Sequence, residues 1–385
     1  MNLEKIFGKN VLSEKADCIV YGSDASMLEG ETKAVVFATS TEQVQELVRF
    51  AVRTNAHIVI RGAGTGLAGG AVPDKAVVLD LSKMNKFRVD RKKKVAVVEA
   101  GVILDDLNEE LKPDLRFPIL PSSHSVCTIG GMLATNAVGN TAIKYGKTGD
   151  WVEELEVVDG NGNLMEVREE QLEDFVGKEG TTGIIVRAKL KLTLPKRIKS
   201  MEFVMIDDIK DVVRTVEDYR KRDVVAIEFF NKKSADLANL RKINHLLVAF
   251  ESDEGRDKDE EIFESYWRKR DSMACVGAGA GYIVMEDPKI PAAKLGEFLK
   301  WVEEHDIPCF GHIGLGILHP QFKTDQKKLI DEMFEFVNKL GGDLSGEHGV
   351  GISKKKFVRK EYADLIKRLK QKYDPYIVLN RGKII

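Results

Sequence analysis

The sequence has little of what marks secreted, membrane-spanning or nucleic-acid-binding proteins. Four cysteines in 385 residues, none in a Cys-x-x-Cys pair, argue against a disulfide framework and against an iron–sulfur cluster. A formal net charge of −2 gives no electrostatic reason to bind nucleic acid. No apolar run approaches the roughly 20 residues that span a bilayer, and the segment MNLEKIFGKN lacks the apolar core of a signal peptide. We therefore expect a cytoplasmic protein with no nucleic-acid partner.

The rest of the composition is typical of a globular protein large enough for two domains. The hydrophobic fraction is 43% and the charged fraction 31%, and 385 residues can form two separate cores. Strand patterns dominate residues 34–194, and Ser40 with Gln43 forms a capping box before a predicted helix that runs to about Thr54. After Pro195, strands alternate with helices, which predicts a mixed sheet with helices on one face.

Glycine is concentrated in two stretches that we expect to be loops, RGAGTGLAGGAVP at 61–73 and TIGGMLATNAVGN at 128–140. A backbone this rich in glycine can form a nest of N–H groups that approaches a phosphate or pyrophosphate closely. Residues 64–69 also match the GxGxxG pattern, but that dinucleotide fingerprint requires a helix at its third glycine. Here a strand-like run, AVVLDL at 76–81, follows instead. We therefore predict strand, loop, strand, and reject a Rossmann fold.

The glycine stretches resemble the flavin domain of the vanillyl-alcohol oxidase and p-cresol methylhydroxylase superfamily. Within it, the chain is most similar to the FAD-linked D-lactate dehydrogenase, glycolate oxidase and D-2-hydroxyglutarate dehydrogenase branch. Further blocks carry the resemblance along the chain: PSS at 121–123, KYGKTGDWVEELEVVDGNG at 144–162, KEGTTGIIVRAKLKLTLP at 178–195, GHIGLGILH at 311–319, SGEHGVG at 345–351 and DPYIVLNRGKI at 374–384. One glycine loop would be weak evidence, whereas these blocks in this order make the assignment specific.

The resemblance implies an α+β fold with a p-cresol methylhydroxylase-type FAD-binding domain and a substrate or cap domain. We expect a lead-in at 1–30, the FAD-binding domain at 31–197, the substrate domain at 198–340 and a C-terminal segment at 341–385 that completes the active site. The loop at 61–73 contains no histidine for a covalent link, so FAD should be bound non-covalently. The residues expected to hold FAD are Arg61, Gly62, Ala63, Gly64, Thr65, Gly66, Gly69, Gly70, Pro121, Ser122, Thr128, Gly130, Gly131, Met132, Thr135, Asn136, Gly139, Glu179, Gly183, Ile185 and Asn380.

Two histidines and a glutamate in the C-terminal half form a candidate metal site. His312 and His319 are seven residues apart and would face opposite sides of a regular strand, but Gly314 and Gly316 can supply a bend. Two imidazoles and a carboxylate suit Zn²⁺, Mn²⁺ or Fe²⁺. By themselves, these residues fit two core histidines and an exposed glutamate as well. The resemblance implies that His312, His319 and Glu347 bind a divalent metal next to the flavin.

The resemblance also implies two catalytic residues. His348 is the candidate general base, because a neutral imidazole can take the hydroxyl proton near physiological pH. Because Glu347 and His348 are adjacent, we expect their side chains to diverge; the alternative is that His348 only orients Glu347. Arg270 is expected to pair with a substrate carboxylate, with Arg268 as its competitor and an exposed helix charge as the alternative.

Some positions depart from the family pattern. Relatives commonly have Asp and Asn where this chain has Leu315 and Ile317, so polar surroundings of the metal have become apolar. Enzymes specific for hydroxyglutarate carry a lysine where this chain has Met285, which favours a substrate with a small or apolar side chain. The NPGK motif of relatives reads Asn380-Arg381-Gly382-Lys383, which adds a cation.

The sequence thus predicts an FAD-dependent dehydrogenase that oxidises D-lactate or a similar D-2-hydroxy acid to the 2-oxo acid by hydride transfer to flavin N5, assisted by a divalent metal. The alternatives are a flavin subunit of a glycolate-oxidase-like electron-transfer complex and an oxidase of the same fold acting on another alcohol. A quinone, a cytochrome, an iron–sulfur subunit or an electron-transfer flavoprotein could accept the electrons, and a homodimer is one option for assembly.

Residues 353–372 form a basic amphipathic pattern. This pattern predicts either an ordinary helix packed on the core or a docking face that would hold the protein at the inner side of the membrane.

Overall fold

The computed structural model describes residues 3–385. The chain divides into two compact units: the first contains residues 1–138, 147–195 and 347–385, and the second contains residues 139–146 and 196–346. The chain first enters the second unit at 139, returns to the first at 147, enters the second again at 196 and ends in the first from 347. The domain boundaries expected from the sequence at 30, 197 and 340 stay predictions.

Within residues 3–385 the secondary structure is mixed. The α-helices are α1 Leu3–Phe7, α2 Lys15–Cys18, α3 Thr41–Thr54, α4 Leu104–Leu111, α5 Ile129–Thr135, α6 Ala142–Tyr145, α7 Ile209–Arg220, α8 Lys232–Leu237, α9 Glu260–Gly279, α10 Leu295–Glu304, α11 Lys327–Lys339 and α12 Lys360–Tyr373. The strands are β1 Val11–Leu12, β2 Glu31–Phe37, β3 Ile58–Arg61, β4 Asp74–Asp80, β5 Phe87–Asp90, β6 Val95–Glu99, β7 Val152–Val158, β8 Leu164–Arg168, β9 Ile184–Lys191, β10 Ser200–Ile206, β11 Val224–Phe230, β12 Asn244–Phe250, β13 Val284–Met285, β14 Cys309–Gly311 and β15 His319–Phe322.

The first unit contains two sheets among its described residues. One has the order β1-β2-β4-β3, with β2, β4 and β3 parallel, and the other is antiparallel with the order β5-β6-β9-β7-β8. Helix α3 begins at the predicted cap, where Ser40 Oγ accepts from Gln43 N–H, and ends at Thr54. Its buried face, Val44, Leu47 and Val48, joins the core that underlies β3 and β4. The periodicity and the cap therefore predicted this helix correctly.

The first glycine stretch lies between β3 and β4, as predicted. Every residue of 62–73 is described, and none is helical. This geometry excludes the Rossmann arrangement. The second stretch differs from expectation: residues 129–135 form helix α5, which begins after Thr128 and ends at Asn136 in the left-handed conformation. Thr128 explains the difference, because its hydroxyl oxygen accepts from Gly131 N–H at 3.2 Å and caps the helix.

The second unit contains a six-stranded sheet among the described residues, in the order β10-β12-β11-β14-β15-β13. Every neighbouring pair is antiparallel, which corrects the expectation of a mixed sheet. Glu202 and Phe203 are successive residues of β10 and so point to opposite faces. Tyr219 of α7 donates to Glu202, whereas the ring of Tyr266 in α9 stacks on Phe203 with centroids 4.6 Å apart. Helices therefore cover both faces of this sheet rather than one, within an α+β fold that agrees with the predicted class.

The basic segment near the C-terminus is helical from Lys360 to Tyr373, and it buries Ile366 and Leu369. It therefore packs as an amphipathic helix. In the described part of the chain, no helix combines the length and the apolar character needed to cross a bilayer.

Candidate functional site

The loop after β3 offers unsatisfied N–H groups in the first unit. Gly64 and Gly69 have positive φ angles of 71° and 78°, which curl the backbone back on itself. The loop carbonyls are used by neighbours: Gly64 O accepts from Ala25 N–H at 3.0 Å and Ala68 O accepts from Ile352 N–H at 2.8 Å. By contrast, the N–H groups of residues 62–66 meet no acceptor among residues 3–385. This loop can therefore receive an anion such as a pyrophosphate.

The start of helix α5 lies against the same loop but has its own partners. A Cβ on Gly62 would stand 2.4 Å from Thr128 Oγ1, so the loop backbone touches the helix cap. The N–H groups of Ile129 and Gly130 donate to Val102 O and Ala100 O at 2.9 and 2.8 Å. Since these N–H groups are already satisfied, helix α5 supports the loop, and the loop itself carries the open donors.

Several other residues predicted to bind FAD have contacts within the protein. Arg61 donates to Ser23 O at 2.7 Å and Asn136 Oδ1 accepts from Gly149 N–H at 2.9 Å. Thr135 donates to Gly131 O at 3.2 Å, and a Cβ on Gly183 would lie 2.5 Å from Val157. Asn380 Oδ1 accepts from Ile60 N–H at 2.9 Å, one residue before the loop begins at Arg61. These residues shape the site by fixing the backbone around the loop.

The remaining predicted cofactor residues lie in helix α5, in strand β9, in the turn before α5 and in the second unit. Met132 and Ile185 are buried in α5 and β9, and Pro121 and Ser122 lie in the turn before α5. Gly139 belongs to the second unit, where its carbonyl accepts from Ala142 N–H at 3.1 Å.

Two buried charges hold the first loop and the segment after His348. Lys383 donates from Nζ to Gly69 O at 2.9 Å and to Val72 O. Burial lowers the pKa of Lys383 to about 8, against the attraction of Asp24 and Glu179. The Glu179 carboxylate accepts from the N–H groups of Val350 and Gly351 at 2.6 and 2.8 Å. Burial raises the pKa of Glu179, and these two hydrogen bonds oppose the rise. Glu179 therefore positions backbone of the C-terminal segment.

A buried ionic group occupies the face of the second unit's sheet that α9 covers. Glu228 of β11 accepts from Arg270 Nε at 2.9 Å through one oxygen and contacts His312 Nδ1 at 2.7 Å through the other. Arg270 Nη2 lies 3.1 Å from His312 Nε2. The three residues are 1%, 4% and 4% exposed. Burial would raise the pKa of Glu228, but the charges and hydrogen bonds of His312 and Arg270 hold it at about 2.

The competing arginine lies outside this group. Arg268 is exposed on α9, two residues before the buried Arg270. The structure therefore favours Arg270 of the two for any role inside the unit, although it binds Arg270 to Glu228, a partner that the sequence analysis did not include.

His319 reaches His312 through the tight turn that the glycines allow. Strand β14 ends at Gly311, a 3-10 turn covers Ile313–Leu315, and Gly316 has a φ of 75° before β15 begins at His319. The two imidazole rings have centroids 5.8 Å apart and both are buried. Arg220 fixes the turn by donating to Gly314 O at 2.8 Å. The two imidazoles thus lie close together, and imidazole nitrogens are common ligands of zinc and other divalent metals.

The last residues of the second unit, Ser345 and Gly346, have fixed positions within that unit. Gly346 N–H donates to Asp287 O at 2.8 Å, and Ser345 donates to Asp287 Oδ2 at 2.7 Å. A Cβ on Gly346 would lie 2.5 Å from Ile317, so the Gly346 backbone packs directly on the segment between the two histidines.

Glu347 opens the last segment of the first unit, and His348 follows it. His348 Nε2 lies 3.6 Å from Glu347 Oε1, and the side chains are 12% and 14% exposed. The expectation that these neighbouring side chains diverge is therefore wrong. Their assigned roles, metal ligand and general base, stay predictions.

Apolar side chains surround the ionic group on the same face of the sheet. Met285 pairs in register with Gln321, two residues from His319 on β15, so these side chains share a face. Phe310 pairs with His319, with ring centroids 5.1 Å apart. Met285 packs on the cluster that contains Phe310 and Met273. On the side of the site that faces Met285, His319 is therefore next to apolar side chains.

Glu228 and Asp287 are the two residues here that the sequence analysis missed. Glu228 could have been found, because it is the one charged residue in the otherwise apolar strand VVAIEFF. Asp287 has no comparable signal, since its role depends on a loop about 60 residues further along the chain.

Comparisons with known proteins agree with this architecture. Residues 32–168 match the FAD binding domain model, and residues 241–384 match the model of the C-terminal domain of FAD linked oxidases. The chain is 29% identical to D-lactate dehydrogenase of Archaeoglobus fulgidus, with 92% of each chain covered. It is 28% identical to glycolate oxidase subunit GlcD of Bacillus subtilis, over 98% of this chain and 94% of that protein.

A third relative and a solved structure extend the comparison. The chain is 27% identical to D-2-hydroxyglutarate dehydrogenase of Stutzerimonas stutzeri, over 97% of this chain and 96% of that protein. The structure of alkyldihydroxyacetonephosphate synthase has a TM-score of 0.70 at 17% identity and covers 98% of this chain and 83% of that chain, which shows a shared fold. The two matched domains and these relatives together show that the chain is an FAD-linked oxidoreductase of the D-lactate, glycolate and D-2-hydroxyglutarate dehydrogenase group.

Proposed function

We propose that this protein is a dehydrogenase that oxidises a short D-2-hydroxy acid, D-lactate or a close homologue, to the 2-oxo acid. The observation that carries the proposal is the buried group formed by Glu228, Arg270 and His312. A buried ion pair contributes little net stability on average, because desolvation offsets the attraction. Such a group beside a second imidazole is therefore better explained by substrate and metal binding than by folding.

Arg270 is the proposed receptor of the substrate carboxylate. Glu228 accepts from Nε of its guanidinium, while Nη2 lies 3.1 Å from His312 Nε2 and Nη1 lies 3.3 Å from Asp271 Oδ1. A guanidinium binds a carboxylate through two parallel N–H donors, and a partner that fixes its plane reduces the entropy lost on binding. Because Arg270 is buried, little water would screen the attraction between its guanidinium and the substrate carboxylate.

Met285 supports a small or apolar substrate side chain. It lies on the same sheet face as His319, in an apolar cluster, and offers no cation. A second carboxylate placed against it would lose its hydration without compensation, at about 1–3 kcal/mol. Relatives with the names D-lactate dehydrogenase and D-2-hydroxyglutarate dehydrogenase are both similar to this chain, and Met285 favours the monocarboxylate of the two.

The side chains present also fit a divalent metal. His312 Nδ1 contacts the Glu228 carboxylate, an arrangement common in metal-binding histidines, where it leaves Nε2 as the ligand atom. His319 would supply a second nitrogen and Glu347 a carboxylate oxygen. Zinc, manganese or iron bound there would act as a Lewis acid toward the substrate hydroxyl. Arg270 Nη2 would have to release His312 Nε2 to make room for it.

His348 is the proposed general base, and FAD is proposed to be bound without a covalent link. The 62–66 N–H groups would hold the pyrophosphate, and the loop at 61–73 has no histidine through which a flavin could be attached. Bound FAD would supply the acceptor for the substrate hydride. Flavin that stays with the precipitate after acid treatment would contradict the non-covalent proposal.

The test is an anaerobic titration of the purified, metal-analysed protein with D and L forms of lactate, 2-hydroxybutyrate, malate and 2-hydroxyglutarate. We expect D-lactate or D-2-hydroxybutyrate to bleach the flavin fastest, roughly tenfold or more ahead of D-2-hydroxyglutarate. A preference for a dicarboxylate would overturn the assignment of Met285. Bleaching by none of these acids would overturn the dehydrogenase proposal.

The second candidate is a flavin subunit of a glycolate-oxidase-like complex, favoured by the similarity to subunit GlcD. A subunit that only relays electrons needs no buried arginine and imidazole group, which argues against this role. An oxidase acting on another alcohol would instead reoxidise rapidly when air is admitted after bleaching. The physiological acceptor in either case is proposed to be a quinone, a cytochrome, an iron–sulfur subunit or an electron-transfer flavoprotein.

A further inference from the structure

Glu228 lies between the two side chains to which the proposed function gives separate tasks. One carboxylate oxygen accepts from Arg270 Nε at 2.9 Å, and the other lies 2.7 Å from His312 Nδ1. The side chain is 1% exposed, and its in-register neighbour on β12 is Leu247, so apolar packing limits where it can move. We propose that Glu228 is a positioning residue that fixes the His312 tautomer and the Arg270 guanidinium together, so that metal binding and carboxylate binding depend on one side chain.

The tautomer of His312 follows from its contact with the Glu228 carboxylate. An ionised carboxylate only accepts hydrogen bonds, so Nδ1 must carry the proton that points at Glu228. Arg270 Nη2 lies 3.1 Å from Nε2 and 3.5 Å from Nδ1 of the same ring, so it is not placed along the Nε2 lone pair and does not decide the tautomer. The Glu228 contact therefore requires the neutral imidazole to carry its proton on Nδ1. This tautomer is the one in which Nε2 can bind a metal.

An isosteric amide cannot satisfy both partners. Glutamine at position 228 would have one acceptor oxygen and one donor nitrogen. If the oxygen faces Arg270, the amide N–H meets His312 Nδ1 and moves the imidazole proton to Nε2. If the oxygen faces His312, the amide N–H opposes the Nε–H of Arg270. Either orientation disturbs one of the two functions, whereas a merely structural role for Glu228 predicts no effect on the tautomer.

A matched control is available in the same sheet. Glu202 of β10 is 5% exposed, accepts from the Tyr219 hydroxyl and lies 3.3 Å from Arg222 Nη2. Its side chain points to the opposite face, toward α7. Glu202→Gln therefore removes a buried carboxylate that also pairs with an arginine, without touching His312 or Arg270.

The first experiment uses the protein freed of metal by a chelator. Long-range ¹H–¹⁵N spectra of the histidine-labelled protein, assigned with His312→Gln, report which ring nitrogen carries the proton. We expect the Nδ1-protonated form in the parent and in Glu202→Gln, and its loss or mixing in Glu228→Gln. An Nε2-protonated His312 in the parent would overturn the proposal, and this measurement stands even if Glu228→Gln does not fold.

The second experiment measures Mn²⁺ binding to the same proteins by its electron paramagnetic resonance signal. We expect Glu228→Gln to weaken binding by about 10–100-fold, as is typical when the partner of a metal-binding histidine is changed, and Glu202→Gln to bind as the parent does. Equal weakening by both variants would show a general loss of structure and overturn the proposal, as would unchanged binding in Glu228→Gln. The proposal rests on the proposed function, but neither measurement uses a substrate. Failure of every 2-hydroxy acid to bleach the flavin would therefore remove the function and leave the role of Glu228 to be decided by these two results.

Discussion

The candidate ligand sites of the two units consist of different parts of the polypeptide. In the first unit, the proposed pyrophosphate site consists of main-chain N–H groups at 62–66, held by backbone contacts and by Lys383. In the second unit, the candidate site consists of buried charged side chains, Glu228, Arg270 and His312. A site made of main-chain N–H groups needs glycines at fixed spacing in one short segment. A site made of side chains can combine residues from strands and helices that are far apart in sequence.

The difference predicts how each unit responds to substitution. A backbone site should be sensitive to added side-chain volume and tolerant of changes in charge nearby. A side-chain site should fail when one functional group is removed, even at constant volume. Gly66→Ala tests the backbone site of the first unit and Met285→Lys tests the side chains of the second, while His348→Ala, with the largest expected effect, tests the proposed general base.

His348→Ala should have the largest effect. If His348 is the general base, flavin reduction by the best 2-hydroxy acid should slow by about 10²–10⁴-fold, because proton removal would lose its acceptor. FAD and metal content should stay at the level of the parent. Anaerobic stopped-flow absorbance measures the rate, and His305→Ala, an exposed histidine after α10, is the control. Loss of metal from His348→Ala would instead exchange its role with that of Glu347, which lies 3.6 Å away.

Gly66→Ala tests the proposed pyrophosphate site at the main-chain N–H groups of 62–66. No protein atom lies within 4 Å of a Cβ placed on Gly66, so the apoprotein should melt at an unchanged or slightly higher temperature. If the pyrophosphate occupies that space, the methyl group should weaken FAD binding by roughly 10–100-fold, since hydrogen bonds to a charged group contribute about 1.5–3 kcal/mol. Flavin fluorescence quenching on the reconstituted apoprotein measures the affinity. Gly279→Ala, with equally open surroundings at the end of α9, is the control. Equal FAD affinity in all three proteins would place the pyrophosphate elsewhere.

Met285→Lys should produce the smallest change, a shift in preference rather than a loss. The added ammonium would pair with a distal carboxylate, so the ratio of kcat/KM for D-2-hydroxyglutarate to that for D-lactate should rise by about tenfold. Met285→Leu keeps the apolar character and should leave the ratio unchanged. Steady-state rates with an artificial electron acceptor give both constants. A ratio that moves with Met285→Leu but not with Met285→Lys would mean that position 285 acts through packing alone.

Much of the first unit was predictable because its signals are local. Ser40 and the apolar spacing after it predicted α3, and the strand after the glycine loop excluded a Rossmann fold. The α5 helix was missed because TIGGMLATNAVGN has three glycines and no long apolar period. The cap at Thr128 and the hydrogen bonds of Ile129 and Gly130 to neighbouring segments stabilise it instead.

The second unit was less predictable because its contacts join distant segments. Periodicity indicated strands and helices after Pro195, but the antiparallel pairing and the helices on both faces depend on strand order. Arg270 was chosen by resemblance, and burial separates it from the exposed Arg268. Glu347 and His348 were expected to diverge, yet they approach each other, because side-chain direction in a loop depends on backbone angles that spacing does not set.

The sequence by itself determined the class of this protein. Ordered motifs, glycine spacing and composition were sufficient to identify an FAD-linked flavoprotein with an α+β fold, because these features lie within short segments whose chemistry is local. Only the tertiary structure decided which charges are buried and paired. Glu228 meets Arg270 and His312 across 42 and 84 residues of chain. The contribution of these buried charged side chains to the free energy of folding depends on their desolvation and on the geometry of their partners. Both depend on how the sheet and α9 pack together, and neither can be read from one segment of the sequence.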